Sequence, residues 1–293
     1  MDLGGKTLFI TGASRGIGLA VALRAARDGA NIAIAAKTAE PHRRLPGTIH
    51  TAAEAIRAAG GQALPLVVDV RDEASIRAGV DETVKAFGGV DICINNASAV
   101  SLSKIEDTDA KRFDLMQQVN GRGTFLVSRA CLPHLRRAAN PHILNMAPPL
   151  NLDPKWFAGH VAYTISKYGM SMCTIGMAAE LESEGIAVNA LWPRIGVATA
   201  AIEFAFADAS ELARCRKPEI MADAAHAVLT RPSRERTGQF LIDDEVLYAA
   251  GVRDFSVYRN DPDATPRLGM FLPDDAEPPP GVDVAGATRP VRG

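Results

Sequence analysis

The stretch TLFITGASRGIG, residues 7–18, decides the fold of this chain. An apolar run is followed by a turn with three glycines and then by an amphipathic stretch at residues 17–28, a pattern that predicts a strand, a tight turn and a helix. Gly12, Gly16 and Gly18 permit positive φ angles and close backbone approach. Since the free N–H groups and the positive dipole end of the helix face the turn, it is suited to hold a phosphate.

The same turn predicts a dinucleotide site. Its spacing, G-x-x-x-G-x-G, differs from the G-x-G-x-x-G of the general dinucleotide fingerprint, and a purely structural turn is the alternative. Its place after an N-terminal strand and before a helix favours cofactor binding. We therefore expect Ser14, Arg15 and Ile17 to contact the cofactor together with the glycines.

Further apolar runs follow along the chain: NIAIAA, ALPLVVDV, VDICINN, HILNM, IAVNALW and QFLID. Predicted helices lie between them at residues 17–28, 51–59, 73–87, 108–138 and 162–183, with a broken region at 200–229. Strands that are apolar along their whole length and alternate with helices indicate a parallel sheet covered on both faces. The prediction is an α/β fold, a Rossmann-type doubly wound parallel sheet of about seven strands, in three α/β/α layers and a single domain.

The domain is expected to span residues 1–258, including a substrate lid at about 197–225. Residues 259–293 are rich in Pro, Asp and Gly and are predicted to form a tail of loops, partly disordered unless it packs on a partner.

Composition excludes several classes of protein. The 293 residues carry a formal net charge of −2, which gives no electrostatic case for nucleic acid or an anionic membrane. No apolar run is long enough to span a bilayer. The four cysteines are widely separated and form no metal-binding pattern, so reduced core cysteines are expected. The N-terminus runs straight into a strand and leaves no room for a signal peptide, so we expect a cytoplasmic protein.

The end of the second strand favours a phosphorylated cofactor. It reads AIAAKTAEPHRR, with Lys37 at the position where NAD-specific proteins often place an acidic residue. Lys37 and Arg15 together suit a 2′-phosphate, so NADP(H) is favoured over NAD(H); the alternative is that Lys37 is simply exposed. Asp69 follows the third strand, where it meets the adenine or caps the helix that begins near Glu73.

Tyr163 and Lys167 are candidates for acid–base chemistry. Four residues apart on a predicted helix, they share one face. A nearby ammonium lowers the pKa of a phenol from about 10, which makes tyrosine a usable general acid and base. An isolated Tyr-x-x-x-Lys is common by chance, and a surface pair is the alternative.

TGASRGIG, NNAS, Asn120 and YTISK together resemble the short-chain dehydrogenase/reductase family, and within it a hydroxysteroid dehydrogenase-like group, over about residues 4–255. The resemblance implies that Tyr163 donates or accepts the proton, Lys167 holds the nicotinamide ribose and Asn120 anchors a water relay. It also implies a homodimer or homotetramer, because this family often buries the helix of Tyr163 between subunits. The remaining implied cofactor contacts are Lys37, Asp69, Val70, Asn96, Ala97, Pro193 and Thr199.

One element of the family pattern is missing. The family usually places a hydroxyl shortly before the tyrosine, where it steadies the substrate carbonyl, but residues 130–163 contain no serine or threonine. Ala147 stands where the resemblance implies a serine, and loss of such a donor costs about 10²–10³ in rate. Asn145, Asn151 and His160 flank the gap, and Asn151 is expected to point back at the pocket; each alternatively satisfies its own backbone, and His160 alternatively caps the helix.

Two functional hypotheses follow. The first is an NADP(H)-dependent oxidoreductase acting on a hydrophobic carbonyl or secondary alcohol, with Tyr163 as acid and base. The second is an NADP(H)-binding sensor or scaffold that has lost catalysis. Candidate substrate contacts are Ala147, Pro148, Asn151, Trp156 and Phe204, although the apolar ones alternatively pack in the core.

Overall fold

A single parallel sheet of seven strands organises the computed structural model, which describes residues 1–41, 46–200, 202, 209–273 and 276–284. The strands are β1 (Thr7–Thr11), β2 (Asn31–Ala36), β3 (Gln62–Val67), β4 (Ile92–Asn95), β5 (His142–Asn145), β6 (Ala187–Trp192) and β7 (Phe240–Ile242). Their order is β3-β2-β1-β4-β5-β6-β7, and every neighbouring pair is parallel. The predicted doubly wound α/β fold is confirmed.

Helices cover both faces of the sheet. The described helices are α1 (Gly16–Ala26), α2 (Ile49–Ala58), α3 (Glu73–Phe87), α4 (Ala110–Gln117), α5 (Gly123–Leu135), α6 (Val161–Leu181), α7 (Ala209–Ala213), α8 (Glu219–Leu229) and α9 (Asp243–Ala249). One buried apolar cluster joins the sheet to α1, α2, α8 and α9, and a second joins it to α3, α5 and α6. Three layers result, as predicted. Within the described residues, no helix is both long and apolar enough to cross a membrane.

The strand order reverses between β1 and β4. The chain leaves β1 toward β2 on one side and continues from β4 toward β5 on the other. In doubly wound sheets, ligands bind in the crevice that opens at the carboxyl ends of the strands at this switch point. The glycine turn after β1 and the residues after β4 therefore share one edge of the sheet.

The third strand is less buried than its apolar sequence suggests. β3 lies at the edge of the sheet, most of its residues are only half-buried, and Val67 is 64% exposed. An edge strand has a partner on one side only, and it tolerates Pro65, which has no N–H for a strand ladder. Apolar content alone does not distinguish an edge strand from a central one.

The helix predicted at residues 108–138 is interrupted. Between α4 and α5 the backbone forms a π-helical turn, Gln118–Arg122, which contains the buried Asn120. Gly121 in this turn lies against Gly169 of α6, where an added Cβ would sit 3.4 Å from the Gly121 Cα. Gly169 therefore allows α6 to pack closely against the π turn of the same chain.

Part of the predicted tail packs on the domain. Leu268 bridges to Ile195 after β6, and the Gly269 N–H donates to the Arg194 carbonyl at 2.7 Å. Phe271 is 0% exposed and Leu272 is 1% exposed. These residues cross the carboxyl edge of the sheet, where the switch point also lies.

A buried ionic cluster fixes this region. Asp244 accepts from Arg194 Nε at 2.9 Å and from an Arg216 guanidinium nitrogen at 3.2 Å, and all three side chains are 2% exposed or less. Asp243 accepts from the Arg194 backbone N–H, and Arg194 also donates to the Ala276 carbonyl at 2.9 Å. The cluster ties the end of β6 to α9 and to the C-terminal segment.

Replacing Asp244 by alanine should lower the free energy of unfolding by about 3–5 kcal/mol, because Arg194 and Arg216 lose a shared buried counter-charge. Urea denaturation measures this change. Glu73→Ala is the control, since its contacts with Arg77 and Arg129 are exposed and worth at most about 1 kcal/mol. Equal losses in the two variants would contradict the structural role of the cluster.

Candidate active site

One cavity of about 1240 Å³ runs from the glycine turn to Tyr163 and Lys167. Of the residues predicted from the sequence, those that line it are Gly12, Ser14, Arg15, Gly16, Ile17, Lys37, Asp69, Val70, Asn96, Ala97, Trp156, Tyr163, Lys167, Pro193 and Thr199. The other predicted residues with a described position, Gly18, Asn120, Ala147, Pro148 and Asn151, are not among its lining residues. Phe204 lies outside the described residues, as do residues 201 and 203–208 of the lid predicted at about 197–225.

The glycine turn is held rigidly at the switch point. Gly12 and Gly16 have φ angles of 68° and 57°. Asn96 Nδ2 donates to the Thr11 carbonyl at 2.9 Å and to the Gly12 carbonyl at 3.2 Å. A Cβ on Gly18 would lie only 2.5 Å from Asn96 Nδ2, so glycine is required there for packing. Asn96 therefore braces the turn while also lining the cavity.

The turn fits a pyrophosphate. α1 begins at Gly16, and the side chain of the residue before it, Arg15, makes no capping hydrogen bond to the helix. The positive end of the α1 dipole therefore faces the cavity, where a phosphate is favourable. Thr199 lies beside this end, with its Cγ2 3.4 Å from the place of a Cβ on Gly16, so the structure puts it next to the turn.

The charged residues near the ends of β2 and β3 contact one another. Lys37 Nζ lies 3.1 Å from Asp69 Oδ2, and hydrogen bonds from Arg71 together with the Lys37 charge hold the pKa of Asp69 far below its ordinary value, although burial opposes this. Asp72, not Asp69, caps α3 by accepting from the Ala74 N–H. The alternative role of Asp69 as a helix cap is therefore excluded. Arg15 donates to the Pro46 and Gly47 carbonyls, so it braces the loop that follows β2.

Tyr163 and Lys167 are buried on α6, with 8% and 3% of their surface exposed. Lys167 Nζ donates to the Met146 carbonyl at 2.9 Å and lies 5.3 Å from the centre of the Trp192 ring. Burial lowers the pKa of Lys167 to about 7 and raises the pKa of Tyr163 above its ordinary value. In this structure desolvation outweighs the expected lowering of the Tyr163 pKa by Lys167.

Asn120 holds the scaffold around Tyr163. Its Oδ1 accepts from the Ala99 N–H at 2.8 Å, and its Nδ2 donates to the Ala99 carbonyl at 2.9 Å and to Ser166 Oγ at 2.8 Å. Ser166 in turn donates to the Tyr163 carbonyl at 2.7 Å. The side chain thus ties the loop after β4 to the turn of α6 that carries Tyr163.

Ala147 and one of the expected replacements for its missing hydroxyl, Asn151, do not line the cavity. Ala147 is 1% exposed and packs with Met170 and Ala190, so a hydroxyl there would enter that buried cluster; its neighbour Met146 lines the cavity instead. Asn151 is held by the C-terminal segment, since its Nδ2 donates to the Leu272 carbonyl at 3.2 Å. The expectation that Asn151 points into the pocket is wrong, because a partner far along the chain captures its amide.

The other two flanking residues differ from each other. Asn145 is fully buried and donates to Thr174 Oγ1 at 2.8 Å, so its amide is used inside the fold. Pro148 is also buried, and its carbonyl accepts from Ser171 Oγ. His160 makes no side-chain cap to α6, contrary to its alternative role, and it lines the cavity.

Phe271 is the site residue that the sequence reasoning missed. Its ring packs among the rings of Trp156, His160, Tyr163, Tyr168 and Trp192, with centroid separations of 5.5–6.3 Å. It belongs to RLGMFL, residues 267–272, an apolar island within the Pro/Asp/Gly-rich tail. That island was the available signal; Leu268 and Met270 from it line the cavity, and Phe271 packs against the lining residues Trp156, His160 and Tyr163.

Comparison with known proteins places these features in a wider group. The family description "short chain dehydrogenase" matches residues 6–208. Hydroxysteroid dehydrogenase-like protein 2 of Xenopus laevis is 56% identical over 274 residues, which is 94% of this chain and 65% of that protein; the Danio rerio protein of the same name is 57% identical over 89% of this chain and 62% of its own length. The chain therefore spans less than two thirds of these relatives.

A solved structure agrees with the fold. The crystal structure of a short chain dehydrogenase from Mycobacterium thermoresistibile is 51% identical, with a TM-score of 0.89, and the match covers 96% of this chain and 99% of that one. The resemblance predicted from the motifs is confirmed.

Replacing Lys167 by methionine should change how stability depends on pH. The folded protein releases the Lys167 proton near pH 7, whereas the unfolded chain keeps it until about pH 10.4. Stability from this residue is therefore complete at high pH and is lost as the pH falls toward 7. Relative to Lys167→Met, the wild type should gain about 2 kcal/mol between pH 7 and pH 9 in urea denaturation. Lys85→Met, at an exposed lysine, is the control, and a flat difference for Lys167→Met would contradict the burial effect.

Proposed function

The chain belongs to the short-chain dehydrogenase family, and on that premise we propose that it is an NADP(H)-dependent oxidoreductase acting on a carbonyl or secondary alcohol. The observation that carries the proposal is the cavity that joins the glycine turn to Tyr163 and Lys167. A cofactor long enough to place its phosphates at the turn and its reactive ring beside Tyr163 fits this arrangement. The family binds nicotinamide cofactors, which supply the hydride when bound.

Different residues along the cavity bind different parts of the cofactor. The turn and α1 hold the pyrophosphate, Asp69 and Val70 flank the adenine, and Lys37 contacts the 2′-phosphate. Asn96 and Ala97 follow the ribose, and Pro193 and Thr199 border the opposite wall. Lys37 supports this assignment because its ammonium lines the cavity and its side chain stays 58% exposed beside Asp69.

Burial of Tyr163 favours the neutral phenol at pH 7. A phenol donates a proton, so this state suits reduction of a carbonyl. Lys167 becomes more fully charged when an anion shares its cavity, and the ammonium then stabilises the phenolate that remains after proton transfer. The pair therefore works as a donor whose acidity rises when the cavity is filled.

The substrate is a small, hydrophobic molecule. Beside Tyr163 the cavity is lined by apolar side chains, among them Val100, Leu102, Trp192 and Met270. Such a wall binds an apolar body and leaves the carbonyl to the polar groups near Tyr163.

The four cysteines are free, which suits a reducing compartment such as the cytoplasm.

A homodimer or homotetramer is part of the proposal. Ile165, Met172 and Ile175 on α6 are 43%, 60% and 46% exposed, and Phe125 on the neighbouring α5 is 48% exposed. Exposed apolar side chains that gather on adjacent helices favour association with a second copy.

The second candidate function is an NADP(H)-binding sensor or scaffold. The raised pKa of Tyr163 favours it, because a less acidic phenol transfers its proton to a carbonyl oxygen less readily. It shares the cofactor site with the first proposal, so only turnover separates the two.

Turnover is tested by NADPH oxidation against a broad panel of carbonyl compounds. For any active carbonyl, Tyr163→Phe should lower kcat by about 10²–10⁴ because the proton donor is lost, while the Kd for NADPH stays unchanged. Tyr248→Phe, at a tyrosine outside the cavity, is the control and should keep full activity. If the wild type binds NADPH but no compound supports Tyr163-dependent turnover, the sensor function stands instead.

Cofactor preference is tested by Lys37→Ala. Loss of the cation should raise the Kd for NADPH about tenfold and leave the Kd for NADH unchanged, because only NADPH carries the 2′-phosphate. Lys85→Ala controls for a general loss of positive charge. Equal effects on the two cofactors would contradict the assignment of Lys37.

A further inference from the structure

Two unpaired polar atoms lie at the reactive end of the cavity. Within the described residues, four buried side-chain nitrogen or oxygen atoms have no hydrogen-bond partner, and two of them are Trp156 Nε1 and His160 Nε2. Both side chains line the cavity together with Tyr163. Since an unpaired buried polar group is costly, its presence in a cavity wall indicates a group that is kept for a ligand.

The two tryptophans of the chain make the contrast clear. Trp192 Nε1 donates to the Met270 carbonyl at 2.9 Å, so this indole is satisfied within the fold. Trp156 Nε1 has no such partner. An indole N–H only donates, so the partner of Trp156 must be an acceptor such as a carbonyl oxygen.

Phe271 packs against three side chains that line this end of the cavity. Its ring centroid lies 5.7 Å from that of Trp156, 6.3 Å from that of His160 and 6.2 Å from that of Tyr163. Both unpaired nitrogens are shielded from solvent, and the Phe271 ring lies against both residues, so displacement of that ring would open space beside them.

The backbone of Phe271 is strained. Its φ angle is 72°, and it is the non-glycine residue with a positive φ in the described structure. A bulky residue rarely adopts this conformation unless its surroundings impose it, and such strain collects at ligand clamps and switch segments. On either side of Phe271 the segment is held by the Met270 carbonyl, which accepts from Trp192 Nε1, and by the Leu272 carbonyl, which accepts from Asn151 Nδ2.

We infer that Phe271 is a displaceable plug and that the substrate carbonyl oxygen, on taking its place, accepts a hydrogen bond from Trp156 Nε1. This inference rests on the proposed function. In the reduction, hydride from the nicotinamide forms the new C–H bond as the C=O π bond breaks, and the oxygen takes its proton from Tyr163. Trp156 makes and breaks no covalent bond; it stabilises the negative charge that develops on the oxygen. His160 adds a second donor in the tautomer that carries hydrogen on Nε2.

The donor is tested with the most active carbonyl of the panel. Trp156→Phe keeps an aromatic ring and removes the N–H, so kcat should fall about 10²-fold while the Kd for NADPH stays the same. Tyr258→Phe is the matched control. It also removes a hydrogen-bond donor from a buried aromatic ring, but that hydroxyl donates to Asp223 and lies outside the cavity. If the wild type shows Tyr163-dependent turnover and Trp156→Phe keeps the full kcat, the inference is overturned and the proposed function still stands.

The plug is tested by Phe271→Ala and Phe271→Leu. If the substrate must displace the ring, the smaller side chains should lower the KM for the carbonyl several-fold, because the binding-competent state becomes more populated. Phe271→Leu retains apolar bulk and guards against a folding defect, which a thermal melt detects. A KM that rises in a folded variant would show that Phe271 is a binding wall and would overturn the plug.

Discussion

The position of the glycine turn depends on the hydrogen bonds between Thr11 and Asn96. Thr11 Oγ1 accepts from the Asn96 and Ala97 N–H groups at 3.0 Å each, and Asn96 Nδ2 returns to the Thr11 carbonyl. These bonds join the carboxyl ends of β1 and β4, where the strand order reverses. They hold the glycine turn and the residues after β4 side by side, where both line the cavity.

The opposite end of the cavity depends on burial. Asn120 in the π turn anchors α6 through Ser166, and α6 carries Tyr163 and Lys167 into an apolar surrounding. Desolvation raises the pKa of the phenol and lowers that of the amine, so burial disfavours the charged form of both groups. An anionic cofactor would reverse the balance for Lys167, which links cofactor binding to proton transfer.

Local sequence signals predicted much of the fold and many of the residues that line the cavity. The glycine turn after β1, Lys37 after β2 and the Tyr163–Lys167 pair each depend on short stretches whose neighbours determine their structure. What could not be predicted depends on distant contacts. The amide of Asn151 is taken by Leu272, and Phe271 reaches Tyr163 only because the C-terminal segment folds back over the sheet edge. The π turn at Asn120 lies within residues 108–138, whose pattern predicts a single uninterrupted helix.

The resemblance to a known family predicted the fold correctly but pointed to Ala147 as a site residue, which the structure does not support. It predicted the family and the fold, which the comparisons confirm. It also directed attention to the residue that lacks a hydroxyl, but that side chain packs against Met170 and away from the cavity. The polar groups that remain at the reactive end, Trp156 and His160, are ring nitrogens, which a search for hydroxyls passes over.

Transfer of deuterium tests the central claim most directly. The protein would be incubated with NADPH deuterated at C4 of the nicotinamide and a mixture of hydrophobic carbonyl compounds, and the products would be analysed by mass spectrometry. The account predicts an alcohol with one deuterium on the former carbonyl carbon, formed by the wild type and not by Tyr163→Phe. Binding of NADPH with no deuterium in any product would contradict it.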